Sequence, residues 1–178
     1  EYQKLAAEKK SRADKIRAAL FQLRDTKAIP FGTALKYAEE AEKKTGVRPA
    51  FLLAIITQET NLGANIGTCN RPDDPPSKNW KAVMKPDRDQ APFERITAAL
   101  GLNPYSMPVS CPWQGGWGGA MGPAQFIPST WELYATKVAA ALGISGMPNP
   151  WDPQHAFMAS STYLGALGAN KGGYTAER

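Results

Sequence analysis

Phe51-Leu52-Leu53-Ala54-Ile55-Ile56-Thr57-Gln58-Glu59-Thr60-Asn61-Leu62 is the stretch on which the fold turns. It reads as a helix, and residues three and four apart share a helix face, so Leu52, Ile55, Ile56 and Glu59 form one stripe. That stripe is the most apolar surface the sequence offers. It is expected to face the core and to carry Glu59 to the edge of dry surroundings. Burial disfavours the charged form of a carboxyl group and raises its pKa, and an acid that keeps its proton near neutral pH suits general acid catalysis. The competing reading is a glutamate that ends its helix and snorkels to solvent or pairs with one of the 21 Lys and Arg residues.

Outward from this stretch, Arg48-Pro49 opens the helix, with Pro49 in the first turn where its missing amide hydrogen is harmless. Gly63 and Gly67 are expected to close it. Before it, a helix is expected from Thr33 as N-cap to Thr45, with Gly46 as its stop and Leu35, Ala38 and Ala41 or Glu42 along one side. Residues 1–27 are rich in Lys, Glu, Ala and Arg, lack Pro and Gly, and place Ile16, Leu20 and Leu23 at helical spacing. They are expected to form an N-terminal helix, either the end of a coiled coil or a helix docked on the domain. The turn Ile29-Pro30-Phe31-Gly32 separates this extension, residues 1–30, from a domain spanning 31–178.

After the decisive helix comes a Pro-, Gly-, Asn- and Asp-rich stretch, about 64–119, with one helical island from Asp89 to Leu100 marked by Phe93, Ile96, Ala99 and Leu100 and stopped by Gly101. So long an irregular region inside a domain is usually functional. It holds Cys69 and Cys111 together with Trp80, Tyr105, Trp113 and Trp117, and is expected to form one wall of a groove. Two loop cysteines in an exported protein most simply form one disulfide; two unrelated free thiols are the other reading. Ser129 with Glu132 three residues later reads as a capping box for a helix running to Leu142 and stopped by Gly143. Asp152-Pro153 starts a last helix that ends near Leu167, with Ala156, Ala159, Ser160, Tyr163 and Leu167 on its inner face. Nothing alternates like a strand for long, so the class is mainly α.

With 178 residues, 43% of them hydrophobic and 21% charged, the chain suits one globular domain with peripheral structure. A formal charge of +5 favours polyanionic partners, but no RNA-recognition or zinc-finger signature is present and nucleic acid is not the expected partner. His155 is the only histidine, it has no Ser or Cys partner in a nucleophile motif, and neither cysteine has a second ligand at metal spacing, so no metal site and no cofactor is expected. The chain begins at Glu1 with neither a signal peptide nor an apolar run long enough to span a bilayer. It therefore reads as a piece of a longer protein, with any export signal or anchor outside it.

Three separated pieces carry a resemblance: Gln-Glu-Thr-Asn-Leu-Gly at 58–63, Gly-Pro-Ala-Gln-Phe-Ile-Pro-Ser-Thr-Trp at 122–131, extended back to Gly119-Ala120-Met121, and Ala-Ser-Ser-Thr-Tyr-Leu at 159–164. Together they resemble the lytic murein transglycosylases of the lysozyme-like superfamily, most closely the membrane-bound lytic transglycosylase B type. The resemblance runs from about Thr33 to Ala169. It implies a lysozyme-like, mainly helical fold with a long loop-rich insertion and an N-terminal helical extension, and an enzyme that cleaves bacterial peptidoglycan in the cell envelope.

Position by position, the resemblance puts Glu59 on the catalytic acid/base and Tyr163 on the tyrosine that orients it. Gln125 falls on the glutamine that positions substrate, Gly122 on the glycine that opens its motif, and Met121 on a residue lining the subsite before the cleaved bond. Thr60 stands where many members have Ser; its hydroxyl survives as a substrate contact, but the added methyl would crowd a sugar. Pyranose rings pack their apolar faces on aromatic rings, which makes Phe126, Trp117 and Trp151, and beside them Trp131 and Tyr134, candidate sugar contacts, with core packing as the competing reading for each. Asn149, in Asn-Pro-Trp-Asp-Pro, either donates to a sugar or stabilises its turn. Asp152 reads as a helix N-cap.

Ordinary glycosidases need two carboxylates, and no second acidic residue lies in a matched motif. The resemblance implies that none is needed: one carboxyl group serves as acid and then as base, the 6-hydroxyl of the same muramic acid attacks, and a 1,6-anhydro-muramoyl end results. Two alternatives are a hydrolytic lysozyme of the goose type and a non-catalytic peptidoglycan-binding or scaffolding domain whose N-terminal helix joins an envelope protein.

Overall fold

The computed structural model describes residues 28–171; the helix expected over residues 1–27 lies outside them. Six α-helices carry the described chain: α1 (Phe31–Thr45), α2 (Pro49–Thr60), α3 (Trp80–Val83), α4 (Ala91–Ala99), α5 (Pro128–Leu142) and α6 (Pro153–Ala166). Extended pairing among the described residues is limited to isolated bridges, Cys69 with Val109, Val109 with Met121, and Met121 with Phe126.

α6 is the central helix. Its run Ala156-Phe157-Met158-Ala159-Ser160-Ser161 is buried on every side, as expected of a helix surrounded by others. α1, α2 and α5 all pack against it. On α1 the residues facing inward are Ala34, Ala38 and Ala41, each fully buried. Small side chains there, with Ala156 and Ala159 buried on α6, let two backbones approach closely. Tyr37 closes the far side edge-on against Phe157, 5.9 Å between centroids. Leu167, expected on the inner face, lies past the end of α6 and is 64% exposed.

Several helix ends follow local chemistry as expected. Gly46 and Gly143 sit in the left-handed region as C-caps, where the absence of Cβ removes the strain. The Asp152 carboxylate accepts from the His155 amide and caps α6. Other ends differ. Thr33 is not an N-cap, because α1 starts at Phe31; Pro30 holds φ at −54° and its carbonyl accepts from the Ala34 amide. α2 stops at Thr60, ahead of both glycines, because Asn61 takes the left-handed conformation at φ 51°, which Asn tolerates better than most residues.

The capping box does not form. α5 starts at Pro128, with Ile127 in the capping position and no side-chain cap of its own. Glu132 is drawn away by a bidentate pair with Arg95, 2.9 and 2.8 Å. Ser129 donates instead to Asp89.

Segment 64–119 holds more structure than one helical island. A 3-10 turn at Pro76–Lys78, α3, and a π turn at Pro86–Gln90 precede α4. Trp80, Val83, Met84, Phe93 and Ile96 are buried, with Trp80 and Phe93 rings 5.5 Å apart. Asn70, 1% exposed, ties the segment together: its side chain accepts from the Trp80 amide and donates to the carbonyls of Pro104 and Met107. Cys69 and Cys111 are joined in a disulfide, which settles the choice between paired and free thiols.

Candidate active site

The ends of α2, α5 and α6 and the turn before α5 enclose a groove of about 350 Å³. α2 supplies Ile55 and Glu59, one helical turn apart. The turn supplies Ala124, Gln125, Phe126 and Ile127, α5 supplies Thr130, and α6 supplies Ser160, Tyr163 and Leu164. Glu59 is the single acidic residue in this lining. Among the other described carboxylates, Asp87 pairs with Lys85, Asp89 with Arg88, Glu132 with Arg95, and Asp152 caps α6.

Glu59 itself is exposed, which corrects the expectation of dry surroundings. The apolar stripe is real below it, with Leu52 and Ile56 fully buried. However, Glu59 lies in the last turn of α2, where that face leaves the core and opens into the groove. No described residue makes a hydrogen bond or ion pair to its carboxyl group, Tyr163 included; Tyr163 contributes to the groove wall beside it. In that wall the Phe126 and Tyr163 rings meet edge to face at 5.8 Å, each with a further edge-to-face contact outside the lining, Trp131 on Phe126 at 5.6 Å and Tyr134 on Tyr163 at 5.4 Å.

Gln125 reaches the groove from a left-handed backbone, φ 52°. Its side-chain amide donates to the Gly122 carbonyl at 2.8 Å, and its backbone amide donates to the same oxygen at 3.2 Å. Gly122, at the opening of the motif, is closely packed. At φ 61°, a Cβ built on it would lie 1.9 Å from the Pro150 carbonyl oxygen. Glycine is therefore required for the turn to dock on the Asn149–Trp151 segment.

Several residues expected at the substrate lie elsewhere. Thr60 is 1% exposed; its hydroxyl donates to the Pro123 carbonyl at 2.7 Å and accepts from the Gly63 amide at 2.9 Å, so it bolts the end of α2 to the turn carrying Gln125. Met121, also 1% exposed, is bridged to Val109 and Phe126 inside the core. Asn149 stabilises its own turn, accepting from the Trp151 amide. The Trp151 indole donates to the Pro108 carbonyl, and its ring meets Phe93 edge-on, so it fastens the insertion to the α6 side. Trp117 is 52% exposed and outside the groove lining, and no residue of segment 64–119 lines this groove. His155 accepts from the Asn149 amide.

Ala124, Ile127, Thr130 and Leu164 line the groove without having been singled out. Their signal was present as spacing, since Ser160, Tyr163 and Leu164 fall at helical intervals, but no chemistry marks them. Among the described residues no cluster of His, Cys, Asp or Glu is arranged to hold a metal ion, and no helix is long and apolar enough to cross a membrane.

The family model for the transglycosylase SLT domain matches residues 31–177. The chain belongs to this family. The SLT domain is similar to a solved soluble lytic transglycosylase, SltB1 from Pseudomonas aeruginosa, at 26% identity and TM-score 0.52 over 75% of this chain and 43% of that one. The Escherichia coli lytic transglycosylase Slt35, solved in complex with bulgecin A, shares the fold at 24% identity and TM-score 0.51, over 75% of this chain and 40% of that one. The chain thus spans less than half the length of these structures. Comparison with curated proteins gives no match. The SLT domain has the lysozyme-like, mainly helical lytic transglycosylase fold.

Proposed function

We propose that this SLT domain is the catalytic part of a peptidoglycan lytic transglycosylase acting outside the cytoplasm. It would cleave the β-1,4 bond between N-acetylmuramic acid and N-acetylglucosamine without consuming water. The observation that carries the reading is the groove itself: one carboxyl group, Glu59, faces an aromatic wall and has no acidic neighbour in the lining. Hydrolysis by the common routes requires two carboxylates about 5 to 9.5 Å apart. A single carboxyl group suits a reaction in which the nucleophile belongs to the substrate.

In this reaction the Glu59 carboxyl donates its proton to the glycosidic oxygen as the bond to the muramic acid anomeric carbon breaks. N-acetylglucosamine leaves with that proton as its new hydroxyl. The acetamido group of the muramic acid covers the developing positive charge by neighbouring-group participation. The Glu59 carboxylate then takes the proton of the 6-hydroxyl while that oxygen bonds to the anomeric carbon, closing a 1,6-anhydro ring and restoring the acid. A tethered hydroxyl has a large effective molarity, so no water need be held. Bound sugar rings would also cover the exposed Glu59 and displace its water.

Tyr163 is the aromatic surface offered to pyranose rings, with Phe126 contributing only the 8% of its surface left open, and Gln125 is the polar group placed to orient them. Tyr163 lines the same groove as Glu59 and would orient it once a sugar closes the groove. The test is Glu59→Gln: this isosteric change is expected to abolish release of soluble fragments from peptidoglycan sacculi and to preserve sedimentation with them. Lysis by the variant at the wild-type rate would refute the assignment.

A further inference from the structure

Asp89 is the most completely buried charge among the described residues, with 0% exposure of its side chain, and the chemistry at Glu59 makes no use of it. It belongs to the π turn Pro86–Gln90, in the disulfide-closed insertion. One carboxylate oxygen accepts a hydrogen bond from Arg88 Nε at 2.7 Å and lies in ion-pair contact with Nη2 of the same guanidinium at 2.6 Å. The other takes two from Ser129, the hydroxyl at 2.8 Å and the backbone amide at 3.3 Å.

Ser129 lies in the first turn of α5, whose capping residue Ile127 has no polar side chain to offer. The first amides of a helix have no intrahelical acceptor, and a carboxylate there is favoured by the helix dipole as well as by hydrogen bonding. Asp89 therefore supplies from another segment the cap that α5 cannot supply for itself. The residues flanking Ser129 are the ones that matter for the groove: Phe126 and Ile127 precede it, Thr130 follows it, and all three line the wall facing Glu59. A π turn, a geometry frequent at functional sites, sets Asp89 beside both Arg88 and Ser129.

We propose that Asp89 is a positioning residue for the groove, fixing the Phe126–Thr130 wall through Ser129 and thereby setting glycan affinity. The inference rests on the glycan-cleaving reading above. It also gives the insertion a role at a groove it does not line. Because Asp89 lies outside the groove lining, its loss acts on binding of substrate and leaves the bond-breaking step near its original rate.

The experiment compares the full chain with Asp89→Asn, Ser129→Ala, Ser129→Thr and the Asp89→Asn/Ser129→Ala double variant on soluble glycan strands. Asp89→Asn and Ser129→Ala are expected to raise KM by about three- to tenfold, the net scale of one ordinary hydrogen bond, with kcat within about twofold. The double variant should resemble the worse single variant, since both remove one linkage, and Ser129→Thr, which keeps the hydroxyl, should restore KM. Unchanged KM in folded variants, or a fall confined to kcat, overturns the proposal. If Asp89→Asn does not fold, Ser129→Ala decides alone by the same criteria. If the wild-type chain cleaves nothing, the enzymatic reading fails separately, and sedimentation with sacculi replaces KM: weaker binding by the variants supports the proposal and equal binding overturns it.

Discussion

Replacing Thr60 by valine removes a hydroxyl while keeping shape, and the surroundings give the size of the effect. That hydroxyl donates to the Pro123 carbonyl at 2.7 Å and accepts from the Gly63 amide at 2.9 Å, at a site 1% exposed. Thr60→Val would leave a buried carbonyl and a half-buried amide without partners, at about 1–1.5 kcal/mol each, so about 2–3 kcal/mol in all. Thr60→Ser keeps both bonds and loses one buried methyl, at about 1 kcal/mol. For a domain of this size, each kcal/mol moves the melting temperature by about 2–4 °C. Thermal unfolding followed by circular dichroism should therefore place Thr60→Val about 5–10 °C below wild type and below Thr60→Ser. Because the same hydroxyl ties the end of α2, next to Glu59, to the turn bearing Gln125, lytic activity should fall further in the valine variant than in the serine variant. The opposite order of melting temperatures would refute the linkage.

Three further outcomes follow from other parts of the molecule. Gly122→Ala combines a left-handed backbone with a Cβ 1.9 Å from the Pro150 carbonyl oxygen, and should lower unfolding free energy in urea by more than about 3 kcal/mol; a wild-type urea midpoint would contradict the close approach. Replacing Cys69 and Cys111 together by serine opens a link spanning 42 residues and should cost about 3–4 kcal/mol in the same assay, with glycan affinity falling as Asp89 loses its anchorage. Residues 1–27 hold eight Lys and Arg against four Asp and Glu, so a chain starting at residue 28 should bind anionic envelope polymers more weakly and with a shallower salt dependence; an unchanged salt slope would place the attraction on the domain itself.

Local grammar made much of the fold legible. Gly46 and Gly143 as helix stops, Pro49 at a helix start and Asp152 as a cap each act through neighbours a few residues away, and each stands where the sequence puts it. The misread ends involve partners distant in sequence. Ser129 and Glu132 have the spacing of a capping box, yet Asp89 and Arg95 take them over from the insertion. Nothing local to residues 129–132 could announce that.

The candidate site divides the same way. Glu59, Gln125, Phe126 and Tyr163 come together in one groove from three separate pieces. Thr60, Met121 and Gly122 lie within a few residues of these, but their side chains or their lack of one serve the scaffold. A motif marks where the backbone must be; whether a residue in it faces substrate or core depends on which side of the turn it leaves. For Glu59 the stripe located the residue and misjudged its exposure, because a helix face that is buried along most of its length can emerge at its last turn.

Mass spectrometry of the ends produced from purified peptidoglycan decides whether one carboxyl group directs attack by the substrate's own hydroxyl. Wild-type chain should give muramoyl ends one water lighter than reducing ends, and Glu59→Gln should give none. Reducing ends from the wild-type chain would mean that water, and not the 6-hydroxyl, is the nucleophile.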